Sequence, residues 1–143
     1  MNDAAIRRKI LADTRKKVRQ FGQTVIFVGG DDDGSPSFHY TVGRGTRGLP
    51  ELLIVAPLAP AVGMSLLNHL DHLMPKTLPS GSLVDLGGKY PVMLLDADDR
   101  AQDDYTGIAN VFHGEKPYRV QQVLLCDPAG RFPPDCAAPY DRQ

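Results

Sequence analysis

The feature that most constrains the fold is a pair of short β-type segments separated by eight turn-forming residues. Residues 23–28 and 37–42 are rich in β-branched and aromatic side chains, and residues 29–36 are Gly-Gly-Asp-Asp-Asp-Gly-Ser-Pro. Side chains of the first kind favour strands, whereas Gly, Asp, Ser and Pro favour turns. The pattern predicts an antiparallel β-hairpin, with His39 and Thr41 on one face of its second strand.

Helical periodicity appears before this hairpin and again after one further strand. Residues 3–20 carry apolar side chains three and four positions apart, which predicts an N-terminal amphipathic helix. The apolar run at 51–56 predicts a buried third strand. Pro60 suits the first turn of a second helix, which we expect to run to Met74, where Pro75 stops it.

The second half of the chain is mostly strand-like. The expected elements are strands at 82–86, 90–96 and 118–126, a short helix at 103–112, and an extended tail from about residue 133. Clustered strands with few helices predict an α+β fold, in which two main helices pack on a largely antiparallel sheet. The same order also allows the sheet to curl into a barrel. The length of 143 residues fits a single domain over 1–143.

Twelve side chains on apolar stripes or in buried strands are expected to form the core. They are Ile10, Val18, Val25, Phe27, Phe38, Tyr40, Leu53, Val55, Leu66, Leu70, Leu94 and Val123.

Charge is unevenly distributed although the net charge is only -1. Seven of the 16 basic residues lie in the first twenty positions: Arg7, Arg8, Lys9, Arg15, Lys16, Lys17 and Arg19. This helix lacks interleaved aromatic residues, and clusters of aspartate balance its charge. A solvated helix face is therefore favoured over contact with nucleic acid.

Three features indicate a cytoplasmic protein without a membrane partner. No apolar run approaches the roughly 18–20 residues of a membrane span. The N-terminus has no apolar segment or cleavage site of a signal peptide. Cys126 and Cys136 are ten positions apart without a CxxC pattern, so free thiols are the simplest expectation. The oligomeric state stays open.

Three short motifs resemble a known family. They are Gly29-Gly30-Asp31, Tyr40-Thr41-Val42-Gly43 after Phe38, and Pro50-Glu51-Leu52; the later segments Gln121-Gln122-Val123 and Asp127 to Pro133 extend the match. Together they resemble the bacterial domain-of-unknown-function family 4262 over most of residues 20–133. The resemblance implies no established reaction. Arg44, His39 and the absence of tryptophan depart from the family's usual pattern.

The hairpin and the loop after it supply the candidate binding site. His39 and Thr41 share a strand face, and Arg44 and Arg47 lie in a loop with three glycines. Arginine offers paired donors to phosphate, and glycines let backbone amides approach an anion. Glu51 has three interpretations: a carboxylate that orients an arginine, a catalytic acid, or a structural charge at a strand end. The first two interpretations place Glu51 in a ligand-binding site together with His39, Thr41, Arg44 and Arg47.

Two other constellations are weaker. His69 and His72 are spaced three apart on the second helix, but no third ligand is evident and no metal is assigned. A nucleophilic Cys126 or Cys136 would need a nearby base; His113 is the only histidine in the later part of the chain, and nothing in the spacing requires contact.

The sequence therefore favours a domain that binds a small ligand, either an anion or a nucleotide-like molecule. The alternative is a protein-interaction or regulatory domain, and a hydrolase is the weakest reading because no nucleophile–base set is visible. No cofactor is assigned; a flavin-binding split barrel is conceivable by analogy of fold alone. Whether the protein is an enzyme stays open.

Overall fold

The computed structural model describes residues 2–30, 36–136 and 143, and shows how helices and strands alternate along the chain. In chain order the elements are α1 (Asp3–Phe21), β1 (Thr24–Val28), β2 (Phe38–Val42), a 3-10 turn (Arg44–Arg47), β3 (Glu51–Val55), α2 (Pro60–Leu73), β4 (Leu83–Val84), β5 (Val92–Asp96), α3 (Asp99–Tyr105), α4 (Gly107–His113) and β6 (Val120–Leu124). Residues 31–35 of the expected hairpin turn, and 137–142 of the expected tail, lie outside the described residues.

The six strands form one open sheet in the order β1-β2-β3-β6-β5-β4. Neighbouring strands are antiparallel except for β3 and β6, which are parallel with Leu53 opposite Gln122. The α+β class and the mostly antiparallel sheet are confirmed. The barrel is wrong, because β1 and β4 lie at opposite edges and β4 is only two residues long, too short to close the sheet.

Each face of the sheet carries part of the core. On one face, Leu52 and Ile54 of β3 pack with Leu67 and Leu70 of α2. On the other face, a second cluster joins Tyr40, Val42, Leu53, Val55, Ala109 and Val120. Helices therefore cover both faces of the sheet, which gives three layers in the order helix, sheet, helix.

Helix α1 begins and ends as its sequence predicts. The Asn2 side chain accepts a hydrogen bond from the Ala5 amide at 2.8 Å, and Gly22 ends the helix at φ 87°. Only Thr14 of this helix is fully buried. The expectation that Ile10 is mostly buried is wrong, since it is 39% exposed: α1 contacts β1 and α4 through a narrow stripe of side chains.

Two further expectations need correction. Phe27 is 38% exposed because β1 is an edge strand and lacks a neighbour on one side. The short helix expected at 103–112 is instead two helices, α3 and α4, separated at Thr106, whose ψ of 49° is not helical. The Asp98 side chain accepts from the Ala101 amide, and α3 begins at Asp99, four residues earlier than expected.

In the described part of the chain, no helix combines the length and the apolar character that crossing a bilayer requires.

Candidate functional site

The loop after β2 folds around the carboxylate of Glu51, the first residue of β3. The backbone amides of Gly43 and Gly45 donate to Glu51 Oε2 at 2.9 and 3.1 Å, and the Arg44 amide donates to Oε1 at 3.1 Å. Glu51 is fully buried. Successive amides that converge in this way form an anion-binding concavity, and here the anion belongs to the chain itself.

Two side chains complete this arrangement, which we call the Glu51 site. Thr41 Oγ1 donates to Glu51 Oε1 at 2.8 Å and accepts from the Leu52 amide at 2.9 Å. His113 Nε2 lies 2.7 Å from Glu51 Oε2. Five hydrogen-bond partners therefore compensate a carboxylate that has no contact with water, which is what burial of a charged group requires.

His113 is held between aromatic rings. Its ring stacks on Tyr118 with centroids 4.5 Å apart and meets Phe112 edge-on at 5.1 Å. The Tyr118 hydroxyl in turn donates to Asn110, and burial raises the pKa of Tyr118, with the charge of Glu51 adding to the effect. A Cβ at position 45 would lie 2.5 Å from the His113 ring, so only glycine fits there.

Arg44 is a buried structural residue rather than a free anion-binding side chain. Its Nε donates to the Pro50 carbonyl at 2.8 Å, its Nη1 to Asp71, and its Nη2 to the Met74 carbonyl at 3.5 Å. Burial lowers the pKa of Arg44, and Asp71 opposes that shift. Arg47, whose side chain is 41% exposed, donates to the same Asp71 oxygen at 3.0 Å.

His39 lies apart from the Glu51 site. It is fully buried below α2, where its Nε2 is 3.2 Å from the Pro60 carbonyl and its ring contacts Phe27. A Cβ on Gly63 would lie 2.3 Å from this ring. Burial lowers the pKa of His39, which keeps the ring neutral, and the Pro60 hydrogen bond partly opposes the shift.

The structure thus brings Thr41 and the backbone amide of Arg44 into contact with Glu51. Arg47 does not contact Glu51 but shares the Asp71 carboxylate with the Arg44 side chain. His39 contacts α2 instead. The loop amides do contact an anion, but that anion is the Glu51 carboxylate of the chain itself. Sequence reasoning missed His113 as a partner of Glu51, and Tyr118 as the ring that stacks on His113. His113 is 62 positions from Glu51, and no motif or spacing links them.

A second candidate is an apolar groove of about 270 Å³ between α1, β2 and the α3–α4 segment, called the Tyr40 groove below. Its apolar walls include Leu11, Phe38, Tyr40, Tyr105, Ile108 and Val111. The Ile108 amide donates to the Tyr40 hydroxyl at 2.9 Å. Burial raises the pKa of Tyr40 to about 12, so this hydroxyl keeps its proton at neutral pH.

Charged groups stand at the rim of the Tyr40 groove. Arg7 of α1 and Asp104 of α3 both line it. Asp104 is 3.7 Å from Arg100, whereas Arg7 has no ion pair with any residue that the structure describes. The groove therefore offers one unpaired cation and one hydroxyl donor.

The described ranges contain no group of three histidine, cysteine or carboxylate side chains that could hold a metal ion. His69 and His72 are both exposed on α2. Cys126, two residues after the end of β6, has a free thiol.

Fold and site together define an open-sheet α+β domain built around an internally compensated buried carboxylate. A family model described as "Domain of unknown function (DUF4262)" matches residues 17–139, and the chain belongs to this family. No curated protein and no solved structure matches it.

Proposed function

We propose that this domain binds a small organic anion with an apolar body, and that the Tyr40 groove is where it binds. The observation that carries the proposal is an apolar cavity in which a cation and a hydroxyl donor are both available. Ligand sites are typically concave and mostly apolar, with a few polar groups that fix orientation.

The charges favour an anion over a cation. Asp104 lies 3.7 Å from Arg100, so two basic side chains and one acid stand near the rim of the groove. Arg7 is exposed and unpaired among the described residues, and Tyr40 has a proton to donate. Arginine binds carboxylate and phosphate oxygens through paired donors.

The size of the groove favours a compact ligand. About 270 Å³ is slightly below the roughly 300–1,000 Å³ typical of ligand pockets. A single aromatic ring with one acidic group fits this volume, and a dinucleotide exceeds it. The nucleotide-like ligand expected from the sequence is therefore narrowed to a nucleobase or another single ring system bearing a negative charge.

The loop of residues 43–47 is less suited to the same role. An external anion at the loop amides would have to displace Glu51, which three backbone donors hold in the buried state. It would also gain little from the Arg44 guanidinium, because that group already has acceptors on Pro50, Asp71 and Met74.

Titration of the protein with indole-3-acetate and with orotate, a pyrimidine base that carries a carboxylate, followed by heteronuclear NMR, tests the proposal. We expect one or both probes to shift resonances of Tyr40, Ile108 and Val111. Arg7→Gln should weaken binding by about tenfold, the lower end of a charge-assisted hydrogen bond. Arg8→Gln is the matched control, since Arg8 is exposed on the same helix and does not line the groove. Equal effects of the two variants, or no shifts in the groove at saturating probe, would contradict the proposal.

The alternative function, a protein-interaction or regulatory domain, is favoured by a separate observation: the sheet has an open edge at β1.

We also propose a cytoplasmic location in a bacterial cell. Fractionation of cells that express the native gene tests the location.

A further inference from the structure

A second groove, of about 380 Å³, lies where α1, β1 and α2 meet. Its lining comes from the last turns of α1, from Gln23 and the first residues of β1, and from one side of α2. We call it the Gln23 groove. It shares no lining residue with the Tyr40 groove. Its volume lies within the roughly 300–1,000 Å³ typical of ligand pockets, so a small molecule fits there as well.

Gln23 contributes a buried acceptor that the rest of the described chain leaves unpaired. The residue is only 7% exposed, and its Nε2 donates to Asn68 Oδ1 at 2.8 Å. Its Oε1 is enclosed and has no hydrogen-bond partner among the described residues. Most buried polar atoms of folded proteins have a partner. An N–H or O–H donor is therefore what this side of the groove lacks.

Asn68 supplies a donor beside that acceptor. It is exposed on α2 and lines the same groove, and its Nδ2 donates to no residue that the structure describes. The hydrogen bond between the two amides thus holds one free acceptor next to one free donor. Rotation of both amides by half a turn would exchange these roles and leave the same pair. The matching ligand has an N–H donor beside a C=O acceptor, as in a carboxamide or a lactam.

The charged residues of the groove favour an uncharged ligand. Lys17 pairs with Asp13 at 3.1 Å. Asp71 accepts from both Arg44 and Arg47. The lining therefore contains one positive and one negative side chain, and each has a partner within the chain. A charged ligand would meet no unpaired counter-charge among these residues and would still lose part of its hydration.

Apolar side chains flank the polar pair. Phe21 of α1 is 69% exposed, Met64 of α2 is 45% exposed, and both line the groove. An aromatic ring packs well against a phenyl ring and a thioether. Because Gln23 Oε1 is enclosed, a ligand reaches it only when a neighbouring side chain shifts. The exposed, unbranched side chain of Met64 is suited to that movement.

We infer that the Gln23 groove binds an uncharged aromatic amide, a ring compound with an N–H donor beside a C=O acceptor. The N–H donates to Gln23 Oε1, the C=O accepts from Asn68 Nδ2, and the ring packs against Phe21 and Met64. This site is separate from the one proposed for an anion in the Tyr40 groove. Aromatic carboxamides and the lactam edges of nucleobases share this chemistry, and the experiment distinguishes the two sources.

The probes are nicotinamide for the carboxamides and uracil for the nucleobases, each titrated into the full chain and followed by heteronuclear NMR. We expect at least one of them to shift the side-chain amide resonances of Gln23 and Asn68 and the backbone amide of Thr24. The matched controls are 3-acetylpyridine and 1,3-dimethyluracil, which keep the ring and the carbonyl but have no N–H. The control of the probe that binds should bind about two- to tenfold more weakly, the size of one neutral hydrogen bond.

Three results of these titrations would overturn the inference. One is equal binding of a probe and its control. Another is the absence of any shift in the groove up to the solubility of both probes. The third is a set of shifts confined to residues of the Tyr40 groove.

Gln23→Met removes the acceptor and keeps a long side chain that tolerates burial. The probe and its control should bind this variant equally, because the oxygen that distinguishes them is gone. A purely structural effect would weaken both ligands and leave the ratio of their affinities as in the wild type, which would contradict the inference.

Asn68→Asp tests the donor and keeps an oxygen for Gln23 Nε2. Because Asn68 is exposed, we expect this variant to fold even where Gln23→Met does not. It should weaken the amide probe about two- to tenfold, since a carboxylate cannot donate to the ligand carbonyl. Ser65→Asp is the control: Ser65 is exposed on the same helix, does not line the groove, and makes the same change in charge. Equal effects of the two substitutions would overturn the inference.

Discussion

His113 Nε2 lies 2.7 Å from Oε2 of Glu51, although 62 positions separate them in the chain. The contact joins the C-terminal residue of α4 to the first residue of β3, and through Glu51 to the amides of the loop after β2. One carboxylate thus links three parts of the fold: α4, β3 and the loop after β2. Its removal should weaken the contacts of all three.

Glu51→Gln should lower the free energy of unfolding by about 1–3 kcal/mol or more, because it leaves buried donors without their acceptor. A glutamine amide would present N–H groups to donors that now face a carboxylate oxygen. Chemical denaturation measures the change. Glu115→Gln is the control, because Glu115 is the other glutamate of the chain and is exposed. Similar midpoints for Glu51→Gln and the wild type would show that the carboxylate charge is not needed for folding.

Arg44→Lys and Arg47→Lys should differ strongly although both arginines contact the same oxygen of Asp71. Lysine cannot reproduce the fork by which Arg44 reaches three acceptors. We expect Arg44→Lys to cost roughly 1.5–3 kcal/mol or more in stability, and Arg47→Lys to cost less than about 1 kcal/mol because Arg47 is partly exposed. Thermal unfolding of the two variants provides the measurement, and equal losses would contradict the burial of Arg44.

Gly63→Ala should destabilise the protein by about 1–3 kcal/mol, because the new methyl group would overlap the His39 ring. Gly88→Ala is the control: a Cβ there meets no atom within 4 Å. The double variant Gly63→Ala with His39→Ala should lose less than the sum of the two single losses. Strict additivity in this cycle would mean that the two residues do not touch.

The stability of the fold should decrease as the pH falls below about 6.5, the ordinary histidine value. Burial lowers the pKa of His39 in the folded protein, so the unfolded chain binds the proton more readily. The His39 contribution is therefore complete above pH 6.5 and is lost as the pH falls toward the folded pKa, by no more than about 1.4 kcal/mol per pH unit.

Denaturation of the wild type and of His39→Gln at pH 7.5 and 5.5 measures this contribution, with His72→Gln as the exposed control. The variant at position 39 should have the shallower pH dependence. An NMR titration in which the His39 ring takes up its proton above pH 6.5 would reverse the sign and contradict the prediction.

Local signals in the sequence account for most of the elements. Element ends carry local chemical signals: turn formers around the hairpin, Pro60 at the start of α2 and Gly22 after α1. These ends lie within one or two residues of their predicted positions. The division of the region near Thr106 into α3 and α4 was not predictable in the same way. The Asp98 cap that begins α3 lies before the segment that carries helical periodicity.

Long-range pairing accounts for what the sequence could not predict. The strand order that leaves β1 at an edge decides that Phe27 is partly exposed, and no local pattern contains that order. Likewise, Glu51 is followed by an apolar strand and could equally have faced water. Its burial depends on His113 and on the loop amides, which become neighbours only in the folded chain.

The position of β6 has a consequence for the growing polypeptide. It is the last described strand in the chain, yet it pairs with β3 on one side and β5 on the other. The β1–β3 meander and the β4–β5 hairpin can each form earlier, but synthesis must reach Leu124 before they are joined. Until then the inner edges of β3 and β5 are both open to pairing with other chains. A nascent or prematurely terminated product therefore has two unpaired strand edges, which are paired in the finished domain. We expect chaperones and proteases to recognise such a product.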